Sequence, residues 1–159
     1  MRRMPSIPPD ILPVFERFVL GPQLIREAIN GLDPGGLNRP DLAGWSIRDV
    51  VIHMADTELV ASVRFRLMLT AENPPLFGFD EAVWKKRLNY LFRDPDGALA
   101  LFQQARYANA ELLREGGREI WSRTAQHETR GPITVADLLR TRADHDDEHV
   151  AQITALRAR

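Results

Sequence analysis

Two histidines stand four residues apart in the run Asp144-His145-Asp146-Asp147-Glu148-His149. At that spacing a helix sets both imidazoles on one face, where two neutral rings can serve a single ion. On a helical wheel their direction is shared by Leu138, Arg142, Ile153 and Leu156, so the pair follows the apolar stripe toward an interior. His53 behaves in the same way, with Val50, Met54, Thr57, Ala61, Arg64 and Met68 on its side of an earlier helix. His127, the fourth histidine, falls in a polar loop over residues 124–130 and reads as a solvated ring rather than a ligand.

Three histidines facing one interior suggest a metal centre. The chain has no cysteine, so any metal must rest on histidine, carboxylate and water. Three imidazoles leave coordination positions open for water or substrate, as in catalytic rather than closed structural sites. Zinc, nickel, iron and manganese all accept such donors, and affinity order alone does not choose among them. The bland alternative is that His145 and His149 are ordinary helix residues paired with the nearby acids.

Other polar groups share these faces. Glu148 lies about 60° round the helix from His145 and is a candidate general base, while Asp56 stands one turn beyond His53. Either serves equally well as a supporting or surface acid. Arg64 and Arg142 could receive an anionic substrate or pair with an interior acid such as Asp146. Gln152 is placed to hydrogen-bond a ligand or water. Trp45, Trp84 and Trp121 read as packing residues rather than a substrate cage. The run His145 to His149 also matches HxxEH, the inverted zinc-protease motif, but that chemistry needs a further ligand well downstream and only ten residues follow His149.

These side chains need helices to hold them, and the sequence supplies four. The first spans residues 10–30, with Gly21-Pro22 expected to kink or split it. A Gly- and Pro-rich loop over 31–44 follows. The second starts at Ser46, where Asp49 three residues on completes a capping box, and runs to about Thr70 before Asn73-Pro74-Pro75 stops it. A long connection with a short helix near 80–88 leads to the third, which starts at Asp94-Pro95 and ends at Gly116-Gly117. The fourth follows Gly131-Pro132, with Thr134 and Asp137 as a second box, and runs nearly to the last residue. No run shows a convincing strand alternation.

The class is therefore all-α: one domain over 1–159, a four-helix bundle whose long crossover lets helices two and three run parallel, up, down, down, up. Helices two and four are then antiparallel. At about 1.5 Å rise per residue, His53 lies roughly 10 Å from the start of one, and His145 and His149 roughly 10 to 16 Å from the end of the other. The heights coincide.

Composition adds exclusions. With 44% apolar residues, 27% charged residues and a net charge of −1, the chain offers no general attraction to nucleic acid or acidic membrane. No stretch approaches the roughly 18 apolar residues of a membrane span. Prolines at 5, 8, 9 and 13 interrupt the basic opening before a signal-peptide core can form, so a cytoplasmic protein is expected.

The segment Gly44-Trp45-Ser46-Ile47-Arg48-Asp49-Val50-Val51-Ile52-His53-Met54-Ala55-Asp56-Thr57-Glu58, together with His145, His149, Gln152 and Ile153, resembles the DinB/YfiT-like superfamily. The resemblance implies an up, down, down, up bundle, usually dimeric, with a metal on His53, His145 and His149. It says less about reaction, since the superfamily includes thiol-dependent transferases and isomerases, hydrolase-like proteins and members of unknown activity. The expected protein is a metalloenzyme holding one divalent ion, zinc or nickel before iron or manganese. It would act on a small molecule, with a low-molecular-weight thiol as cosubstrate or with water alone. The rival is a noncatalytic stress-response or binding module whose site is structural or vacant.

Overall fold

The computed structural model describes residues 7–159; the basic opening weighed as an export signal begins in residues 1–6, outside the described part. Among the described residues six α-helices are present: α1 (Leu12–Ile29), α2 (Pro34–Asn38), α3 (Ile47–Thr70), α4 (Glu81–Arg87), α5 (Pro95–Glu115) and α6 (Val135–Arg157). The four long ones, α1, α3, α5 and α6, make the bundle.

Cap chemistry sets their starts. Ser46 accepts from the Asp49 amide while Asp49 accepts from the Ser46 amide, and Thr134 and Asp137 repeat the exchange at α6. Asp94 accepts from the amides of Asp96 and Gly97, with Pro95 in the first turn of α5. Gly117, at φ +86°, turns the chain out of α5 in a conformation costly for any residue with a Cβ.

Side-chain bonds between helices fix their directions. Arg17 bonds Asp144 at 2.7 Å and Arg157 bonds the Ala28 carbonyl at 2.8 Å, so α1 and α6 run together. Arg26 reaches Gln103 and Arg106 reaches the Phe18 carbonyl, which sets α5 against α1. His53 meets His145 while Thr57 meets Arg142, so α3 opposes α6. The result is the expected up, down, down, up bundle, with α1 beside α6 and α5 beside α3.

Two expectations needed revision. Of the kink or split expected at Gly21-Pro22, the split does not occur: α1 continues through both residues. The chain also contains a small sheet that no alternation announced: β1 (Pro75–Leu76) pairs parallel with β2 (Thr124–His127), which pairs antiparallel with β3 (Gly131–Thr134). Strands of two to four residues are too short for a period-two pattern to emerge, and Pro75 and Pro132 argue against strand in sequence. The short helix expected near 80–88 is α4, and a further one, α2, lies in the loop over 31–44.

The apolar core is divided in two. One cluster gathers Phe15, Phe18, Phe65, Met68, Leu113, Trp121 and Leu139 around the sheet end of the bundle. The other gathers Ile25, Ile47, Val50, Ile52, Met54, Phe102 and Ile153 around the opposite end. Between them, at mid-height on every long helix, lies a polar layer: Glu58 on α3, Arg106 and Asn109 on α5, Asp146 on α6, and the glycine at position 21 on α1. The histidines border this layer.

Candidate metal centre

His53 is buried in α3, at 1% exposure, and His145 and His149 are half-buried on α6. Their Nε2 atoms converge: His145 stands 3.0 Å from His53 and 3.1 Å from His149. One nitrogen from each ring lies within 4.8 Å of the others, a grouping able to hold a metal ion. Donors about 2 Å from a shared ion stand about 3 to 3.5 Å from one another, so the spacing suits a common ion.

Charge state and tautomer favour donation. Burial pushes the His53 imidazolium down to about 3, helped by the charges of His149 and Arg142. Burial likewise lowers His145, with Arg142 adding to the effect, and lowers His149. All three rings are neutral at physiological pH. The Nδ1 of His149 lies 2.8 Å from Gln152 Oε1, an acceptor only, so the proton sits on Nδ1 and the Nε2 lone pair is free. Gln152 thus meets a candidate ligand, one of the roles its position allowed. The Trp45 ring packs edge-on against His53 at 5.6 Å and limits its rotation.

The remaining candidates separate. Asp56 is buried and committed to Arg93 by a bidentate pair at 2.6 and 2.8 Å. Glu148 is exposed on α6 and does not line the neighbouring cavity. Arg64 and Arg142 do line it. His127 ends β2 instead of lying in a loop; it is apart from the three-histidine group, and it faces the same cavity. Trp121 is buried in the core, and Trp84 stacks on Phe79 at 4.3 Å.

Glu81 was not anticipated. Its Oε1 lies 3.7 Å from His53 Nε2, and the residue is exposed at the cavity edge. It belongs to the first turn of α4, which Asp80 caps by accepting the Val83 amide at 3.0 Å. The crossover therefore delivers a carboxylate to the histidines, and no periodicity within that segment could have shown where it lands.

The cavity beside His145 has a volume of about 800 Å³, the size of a small-molecule site. Thr57, Arg64, Phe79, Glu81, His127 and Arg142 contribute to its wall. Among the described residues, no helix is long and apolar enough to cross a membrane.

Comparison with known proteins agrees with this fold. The DinB superfamily profile matches residues 17–153. The Bacillus subtilis protein named "Putative metal-dependent hydrolase YfiT" is 32% identical over 140 residues, spanning 87% of this chain and 79% of its own. A Bacillus cereus protein with the same description is 30% identical over 139 residues, spanning 87% and 80%. A solved structure of the Bacillus subtilis protein, described as "a probable metal-dependent hydrolase with an unusual four-helix bundle topology", superposes with a TM-score of 0.88 at 29% identity, covering 98% of this chain and 91% of that one.

Proposed function

The chain belongs to the DinB superfamily, and on that footing we propose that it is a metal-dependent hydrolase of a small molecule, with His53, His145 and His149 as ligands of one divalent ion. The observation that carries this reading is the meeting of three neutral Nε2 atoms, one of them on His145, which lines a cavity large enough for a substrate. Zinc and nickel are among the ions that imidazole donors suit.

When bound, such an ion polarises a carbonyl oxygen and makes water a nucleophile near neutral pH. The chain's own residues supply the rest. His149 is held in its donating tautomer by Gln152, and the Trp45 ring fixes His53. Glu81, beside His53 yet open to solvent, takes a proton from the attacking water and returns it to the leaving group as the scissile bond breaks. Thr57 and Phe79 border the space the substrate fills.

The same site fits a thiol-dependent transferase, since a small thiol could replace water as the nucleophile in a chain without cysteine. A homodimer belongs to the reading as well: Leu59, Val63 and Leu67 stand exposed at successive turns of α3.

Elemental analysis of the purified protein beside a His145→Ala, His149→Ala double variant tests the centre. Near-stoichiometric metal lost in the variant supports it; no metal in either after soaking with zinc, nickel and manganese overturns it. Ester and amide turnover with and without a low-molecular-weight thiol then separates the chemistries. Glu81→Gln should keep the metal and lower kcat by about a hundredfold or more.

A further inference from the structure

We propose that Arg142 and Arg64 form an anion subsite beside the three histidines, so that the substrate is a small organic anion held by a carboxylate or phosphate group. The inference rests on the reading above for the position of the reacting bond, and on the two arginines alone for the anion.

Arg142 precedes His145 by one helical turn and lines the same cavity. It is buried, at 7% exposure, yet its donors are poorly matched. Nη2 gives a hydrogen bond to Thr57 Oγ1 at 3.1 Å, while Nε has no partner. The closest carboxylate oxygen, Glu58 Oε2, is 3.7 Å away and already accepts from Arg106 at 2.8 Å. Nearby, Asp146 is also held by Arg106, through bonds at 2.5 and 3.1 Å. Two buried carboxylates thus answer two buried arginines in charge, but every one of their oxygens already accepts from Arg106.

Arg64 adds a further positive charge. It is half-buried on the same wall, its Nη2 bonds the Phe77 carbonyl at 2.5 Å, and among the described residues no carboxylate lies within ion-pair distance of it. Burial lowers Arg64, and the charges of Arg142 and Arg130 lower it further. His127 is lowered by burial and then by Arg64 and Arg130. Positive potential therefore accumulates on this wall.

The cavity's acids do not cancel it. Asp80 and Glu128 are exposed and occupied, capping the Val83 amide and accepting the Gly78 amide at 2.8 Å; Glu81 sits by His53. Water screens exposed carboxylates far more than it screens a buried guanidinium. A buried guanidinium whose nearest carboxylate oxygen is 3.7 Å away is poorly compensated, and a carboxylate or phosphate entering the cavity that Arg142 and Arg64 line supplies the missing counter-charge.

The test is calorimetric titration of the chelator-treated, metal-free protein with succinate and, separately, inorganic phosphate at low ionic strength. Binding of either probe is expected, unchanged in a His149→Ala variant that no longer takes up metal. Arg64→Gln should weaken it about tenfold or more, and Arg142→Lys, which keeps the charge and loses the fork, should weaken it as well. Circular dichroism verifies that each variant is folded; if Arg142→Lys is not, Arg64→Gln decides. Failure of both probes to bind, or binding equal in wild type and Arg64→Gln, overturns the subsite. Binding seen only with metal present also overturns it, since the anion is then a metal ligand. Metal content measured on the same samples keeps failure of the metal reading distinct from failure of this one.

Discussion

Arg106 donates from Nη1 to the Phe18 carbonyl at 2.5 Å, and this is the carbonyl that Pro22, four residues further along α1, leaves without a helical amide. The missing N–H opens an acceptor in the middle of a helix, and a buried arginine from α5 fills it. Gly21 completes the socket: a Cβ there would stand 2.0 Å from Asp146 Oδ2 and 2.7 Å from Arg106 Nη1. Gly21-Pro22 is thus the place where α1 admits the polar layer.

Gly21→Ala should therefore destabilise the protein by about 3 kcal/mol, the scale of an overpacked core with a strained buried ion pair. Glycine to alanine in a helix ordinarily gains about 1 kcal/mol, so the sign itself is diagnostic. Gly35→Ala, within α2, where a Cβ would be 3.4 Å from its nearest neighbour, is the control and should leave stability unchanged or raise it slightly. Urea denaturation of the three proteins decides it, and equal behaviour of both variants would remove the socket.

Replacing Arg106 itself should cost more. Its guanidinium gives two bonds to Glu58, at 2.9 and 2.8 Å, and two to Asp146, so Arg106→Leu strands two buried carboxylates. A loss of about 3 to 5 kcal/mol is expected. Adding Glu58→Gln should recover part of it, because one of the stranded charges is gone; a double-mutant cycle measures the coupling.

The capping box of α6 gives a pH dependence. The Asp137 carboxyl is held below its ordinary value of 3.8 by hydrogen bonds from Thr134, side chain first and backbone next. A carboxylate lowered on folding stabilises the fold above its unfolded value, and that stability is lost as pH falls through the folded one. The window thus opens below about 3.8. Asp137→Asn should be destabilising at pH 7 and less so at pH 3, measured by denaturation at the two pH values. A constant difference would mean the box contributes nothing through charge.

What could be read beforehand follows from how each feature is encoded. His145 and His149 are one turn apart on one helix, and His53 reaches their height once α3 and α6 are antiparallel, so local periodicity and one topological step suffice. Ser46-Asp49 and Thr134-Asp137 are local pairs and were legible for the same reason. Glu81 was not, because its position depends on how the crossover folds back over α3. The polar layer was hidden too: Glu58, Arg106 and Asp146 come from three helices, and their partner on α1 is a glycine whose role lies in lacking a side chain. Gly21-Pro22 carries a helix-breaking signal, and only the tertiary contact shows it to be an accommodation.

Gln152 provides the sharpest test of the centre, since it touches a proposed ligand without being one. Its Oε1 receives the Nδ1 proton of His149, which fixes the ring tautomer and leaves Nε2 as the donor. Gln152→Ala should fold normally and bind zinc or nickel about tenfold more weakly, because the ring then divides its population between tautomers and orientations. Gln152→Glu retains an acceptor at that place and should restore affinity. His53→Ala, His145→Ala and His149→Ala should each lose far more, while His127→Ala, outside the converging group, should bind metal as the wild type does. Competition titration against a chromophoric chelator ranks all six. Equal affinity for wild type and Gln152→Ala would show that the ring is oriented by packing alone. Equal affinity for the wild type and the three histidine variants would place the metal elsewhere.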